Sequence, residues 1–190
     1  MKSLCFVLSV VLMSLSPVAF AQSDAHKSVD KPAPSEAQKS FETIKTFAGE
    51  WEGPVKVPEM PEMNDGKPLH VSLRVTSRGN AVVHELQEAN TPLDATKYDH
   101  PVTMLYVDGD KLNLIHYCDA GNRPHMIGKM SPDGKTVEFA LVDISGSTEH
   151  GHMHHAVFTY IDANHHTEDW TYMMPGDKPM HAHFDLHKKN

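Results

Sequence analysis

From Trp51 onward, apolar and polar residues alternate with a period of two, interrupted by turn signals about every ten residues. Val71, Leu73 and Val75 alternate with His70, Ser72, Arg74 and Thr76, and a turn follows at Arg78-Gly79-Asn80. Successive side chains of a strand point to opposite faces, so this pattern predicts a sheet with one buried face. The runs 81–88, 104–107, 112–118, 126–130, 137–142, 153–161, 168–174 and 180–187 repeat it. "DGDK" at 108–111 and "SPDGK" at 131–135 have the composition of hairpin turns, which makes neighbouring strands antiparallel. About nine short strands in such a meander close most economically into an up-and-down barrel, because closure removes exposed edges. A two-sheet sandwich is the rival arrangement.

Upstream of Trp51 the period changes. Ser35 followed by Gln38 has the form of a capping box, and Phe41, Ile44, Phe47 and Ala48 recur at helical spacing until Gly49. The segment "QSDAHKSVDKPAP" at 22–34 is polar without periodicity and reads as a flexible leader. Before it, Lys2, the apolar run from Leu4 to Leu15 and Ala19-Phe20-Ala21 have the layout of a cleavable signal peptide over 1–21. The run is short for a membrane span of ~20 residues, so a stable anchor is not expected. The expected product is an exported all-β domain over 35–190, an antiparallel up-and-down barrel with a short N-terminal helix, monomeric or weakly dimeric, in the periplasm or secreted.

Composition narrows the partners. Without Lys2 the chain carries 16 basic and 25 acidic side chains, which argues against nucleic acid and anionic lipid. All 15 histidines lie downstream of residue 21, so the net charge is expected to swing upward as pH falls through ~6.5. Only Cys118 remains after cleavage, which rules out an internal disulfide.

The histidines supply the candidate chemistry. Residues two apart on a strand share a face, and His116 with Cys118, and His152 with His154 in "HGHMHH", have that spacing. His84 stands between Val82 and Leu86 on one face, and His116 follows Leu112 and Leu114. A histidine among aliphatic residues is either a satisfied core group or a pocket group. His84, His116, Cys118, His152 and His154 are therefore the metal-ligand candidates, and nitrogen donors with a thiolate suit zinc or copper. Glu85 beside His84 must point to the opposite face, Arg123 is expected at a barrel rim, and Met126 and Trp170 complete the candidate ligand-binding set. His165 and His166 follow "DAN" and are expected in a solvated turn. No Gly-rich phosphate cradle and no G-x-S-x-G elbow is present.

The stretch "FAGEWEG" at 47–53, a short helix running into G-x-W and then successive strands, resembles the start of lipocalin and calycin barrels. That resemblance implies that Trp51 closes one barrel end beneath a basic group of the last strand, here His187 or Lys188. "HYCDAGNRPHM" at 116–126 followed by "GHMHHAVFTYID" resembles a family of secreted bacterial lipocalin-like proteins of uncharacterised function. The expected function is binding of a small apolar ligand, or of zinc or copper, inside the barrel. The alternatives are a metal-dependent enzyme acting on a small molecule and a haem-binding protein similar to the calycin-like nitrobindins.

Overall fold

The structure is a computed structural model and describes residues 33–189. The expected signal peptide and the leader up to residue 32 lie outside the described residues. The chain forms α1 (Glu36–Lys45) and the strands β1 (Gly49–Gly53), β2 (Val55–Lys56), β3 (Leu69–Thr76), β4 (Ala81–Glu88), β5 (Val102–Asp108) and β6 (Lys111–Tyr117). It continues through β7 (Arg123–Met130), β8 (Thr136–Ser145), β9 (His152–Asp162), β10 (His165–Met174) and β11 (Lys178–Lys188). Every pairing is antiparallel between neighbours, and β1 pairs with both β3 and β11, so ten strands form a closed barrel. The two-residue β2 lies outside this ring, against His183 and Phe184 of β11.

The period-two reading underlies nine of these strands; β1 and β2 are the additions. They are too short for alternation to show, and Pro54 between them has no N–H to continue a ladder. Gly53 passes so close to β11 that a Cβ there would lie 1.8 Å from the Asp185 carbonyl oxygen.

The helix begins as its sequence requires. Gln38 N–H donates to Ser35 Oγ at 3.2 Å, and Ser35 N–H donates to Gln38 Oε1 at 2.8 Å. Ala37, Phe41 and Ile44 are buried, and α1 packs against β5, β6 and β7 at one end of the barrel. At that end Trp51 Nε1 donates to Phe47 O at 2.8 Å, and Lys188 Nζ stands 5.3 Å from the Trp51 ring centroid. Lys188 therefore supplies the cation over the closing tryptophan. The core is a continuous apolar cluster, including Leu105, Leu114, Met126, Phe139 and Phe158, drawn from the inner faces of the strands.

Two local expectations are corrected. His165 and His166 are not turn residues: Ala163-Asn164 alone makes the turn, and β10 starts at His165. His166 faces inward and is fully buried. In β9, Thr171 pairs with His155 but the next residue, Tyr172, pairs with Met153, so His154 is the extra residue of a β-bulge. Simple alternation would place His152 and His154 on the inner face of Ala156 and Phe158. The bulge shifts the register by one, and Met153 packs against the core instead.

Candidate functional site

The inner face of the barrel carries a buried polar cluster in an otherwise apolar core. Period two on β10 turns His166, Glu168 and Trp170 inward together. Register across three neighbouring strands sets His84 of β4 beside Thr103 of β5, and Thr103 beside His116 of β6. All six side chains are buried.

Glu168 organises this cluster. His84 Nε2 lies 3.0 Å from Glu168 Oε2, His166 Nε2 lies 3.1 Å from Oε1, and Trp170 Nε1 donates to Oε2 at 2.9 Å. Burial by itself would raise the Glu168 carboxyl, but the adjoining imidazoles, His84 foremost, hold it well below the usual carboxylate range. An ionised carboxylate only accepts, so the facing Nε2 atoms of His84 and His166 carry hydrogen. Their Nδ1 atoms point elsewhere, and neither has a hydrogen-bond partner among the described residues.

His116 forms the second half. Its Nδ1 shares a hydrogen bond of 2.8 Å with Thr103 Oγ1, and its Nε2 has no partner among the described residues. Burial pushes its pKa down to about 4, with the nearby His84 acting in the same direction. At neutral pH it is an uncharged imidazole. Trp170 bridges the halves, its ring centroid 5.6 Å from that of His84 and 5.7 Å from that of His116. Phe47 stacks on His166 at 5.1 Å and Trp51 meets the same ring edge-on at 4.3 Å, sealing the cluster at the helix end.

The structure brings together only part of the expected site. His84, His116, Met126 and Trp170 are interior. Cys118 falls just beyond β6, where it helps line a surface groove of about 470 Å³ with Tyr98, Asp99 and Tyr117. Burial pushes the Cys118 thiol up, which keeps it protonated and a poor ligand or nucleophile. His152 and His154 lie at the barrel end remote from α1, their ring nitrogens 3.4 Å apart. Glu85 points outward, into a hollow with Glu50, His70 and Ser72. Arg123 is exposed, and its Nε donates to Ser145 Oγ at 3.0 Å. Among the described residues, no three of the five metal-ligand candidates place donor atoms within 4.8 Å of one another.

Sequence reasoning missed Glu168, His166 and Thr103. The signal was present as H-x-E-x-W, a polar pair sharing a face with a tryptophan, but assigning His165 and His166 to a turn concealed it. Only the three-dimensional register relates Thr103 to His116.

No family model matches the chain, and no curated protein matches it. Among solved structures, the chain is similar to Rv2717c from M. tuberculosis, with a TM-score of 0.53, 16% identity, and coverage of 80% of this chain and 98% of that one. A protein of unknown function from the DUF3598 family, from Nostoc punctiforme, matches with a TM-score of 0.38 and 9% identity, over 77% of this chain and 48% of that one. At 16% identity the likeness to Rv2717c is one of fold: this chain is a closed antiparallel barrel of ten strands with one short helix.

Proposed function

We propose that this chain is an exported binding protein that holds a small, mainly apolar molecule inside the barrel, anchored at one polar atom by the His116 and His84 imidazoles. The observation that carries the reading is that two of the buried ring nitrogens without a partner among the described residues, His84 Nδ1 and His116 Nε2, lie on either side of Trp170. A buried polar atom left unpaired costs about 1–3 kcal/mol, so such atoms in an apolar interior call for a partner. The surrounding Phe158, Leu105 and Leu114 side chains would meet the rest of the molecule. We prefer an organic ligand to a metal ion because, of the five candidate ligands, only His84 and His116 are fully buried.

Both tryptophans of the chain, Trp51 and Trp170, are buried next to cluster histidines, so their emission reports on the interior. Titration of tag-free protein with the apolar dye anilinonaphthalene sulfonate is expected to shift that emission and saturate at one equivalent. His116→Leu should weaken the dye by roughly tenfold or change its spectrum. Emission that responds to neither the dye nor haemin would overturn the proposal. Haem is the second reading, favoured by one observation: His116 has one nitrogen held by Thr103 and the other without a partner among the described residues, the arrangement of an oriented metal-binding imidazole. A Soret band that appears on adding haemin and is lost in His116→Leu would select it.

A further inference from the structure

On the outside of the barrel, β10 and β11 present a second histidine cluster that the interior site does not use. Odd-numbered residues of both strands face outward there. His165 pairs with His187 across the ladder, and Asp185 lies two residues before His187 on the same face. His165 Nε2 is 2.6 Å from Asp185 Oδ1, and His187 Nε2 is 3.6 Å from the same oxygen. The two rings stack with centroids 4.3 Å apart and an interplanar angle of 21°. One donor atom from each of the three residues lies within 4.8 Å of the others, the one such trio among the described residues.

We propose that His165, Asp185 and His187 form a surface site for a divalent transition ion of the zinc type. One carboxylate oxygen needs one imidazole to satisfy it in a simple ion pair; here two imidazoles aim at it, and the second stands beyond hydrogen-bond range. A dication between the three donors satisfies both imidazoles and the carboxylate at once, since it takes neutral imidazole and ionised carboxylate at about 2.0–2.2 Å each. The His187 and Asp185 side chains are 61% and 43% exposed, which leaves them free to rotate by the small amount that coordination needs.

The choice of ion follows from the donors. Two nitrogens and one carboxylate oxygen suit zinc, whereas calcium and magnesium require shells built from oxygen. Three protein ligands leave a fourth position. Glu52 of β1 pairs with His187 across the closing seam and lies on the same outer face, in salt-bridge contact with Lys189. Either Glu52 or water fills that position. The backing is rigid: β10 and β11 pair without interruption from His165 to Met174, and the buried His166, Trp51 and Phe47 lie beneath. This site is independent of the interior cluster, so failure of either leaves the other standing.

The test is calorimetric titration of tag-free, chelator-treated protein with zinc chloride, repeated with cobalt(II) to read its visible bands. The wild-type chain is expected to bind one equivalent more tightly than any other, with cobalt absorption of tetrahedral strength. His187→Ala and Asp185→Asn should each weaken that equivalent by roughly tenfold or more. His183→Ala, on the same strand but paired with Asp169, should leave it unchanged. Circular dichroism would confirm that all three variants keep the fold, as expected for exposed positions. Absence of saturable binding in the wild type, or equal binding in the wild type, His187→Ala and Asp185→Asn, overturns the proposal.

Discussion

Glu168 is fully buried, so its charge rests on three N–H donors, and each donor in turn depends on it. Removing one partner from a buried charged group is costly because the others are left desolvated and unpaired. Glu168→Gln keeps the volume but replaces an accepting oxygen with an NH₂ group facing donors. The expected loss is roughly 3 kcal/mol in urea denaturation. Asp169, the next residue, gives the contrast. It meets His183 at 2.6 Å on the outer face, where both side chains are about half exposed, and Asp169→Asn should cost less than about 1 kcal/mol. Similar losses for the two variants would mean that the Glu168 cluster is not the closed unit its geometry suggests.

At the scale of the element, the barrel depends on a short seam. β1 joins β11 through only Trp51 with Lys188 and Glu52 with His187 before Gly53 crosses over the Asp185 backbone. A methyl group at Gly53 would overlap the Asp185 carbonyl, and backbone, unlike a flexible side chain, does not move aside cheaply. Gly53→Ala should therefore destabilise the protein by roughly 3 kcal/mol or more. Hydrogen exchange would localise the damage: the amides of β1 and the end of β11 should lose protection before those of β6 and β7. The β9 bulge is the other element-level device. By absorbing His154 it turns Met153 inward, so one extra residue decides which side chains of "HGHMHH" can reach the interior.

For the molecule as a whole, the buried His116 sets a pH dependence whose sign is fixed. Its pKa is depressed to about 4 in the folded chain from 6.5 in the absence of structure, so between these values the unfolded chain binds more protons. Stability is full above pH 6.5 and falls as pH drops toward 4, by roughly 3 kcal/mol if His116 acts alone. His152, also lowered by burial and then by His154, acts weakly in the same direction because it is more exposed. Glu168 is depressed as well, but a carboxylate gives up its contribution only below its ordinary range near 4.5, which leaves the window from 6.5 to 4.5 to the histidines. Denaturant midpoints measured at intervals across that window should slope downward with acid, and His116→Gln should flatten the slope. An unchanged slope would show that His116 titrates normally.

The alternation of apolar residues determined nine of the strands, because period two is a local property, whereas closure of the ring through β1 and β11 was decided by the tertiary structure. The helix start at Ser35 and the inward aim of His84 and His116 follow from short-range rules, while the tryptophan at the closed end was implied by the resemblance of "FAGEWEG" to other barrels. Tertiary structure decided whatever depends on register between distant strands. It placed Glu168 against His84, 84 residues away, and Thr103 against His116. It separated Cys118, His152 and His154 from them, through the end of β6 and the bulge in β9. It also set His165 beside His187 on the outer face. Which strand residues share a face can be counted along the chain; which faces meet depends on hairpin lengths, bulges and the closing seam, and these act only once the ring is complete.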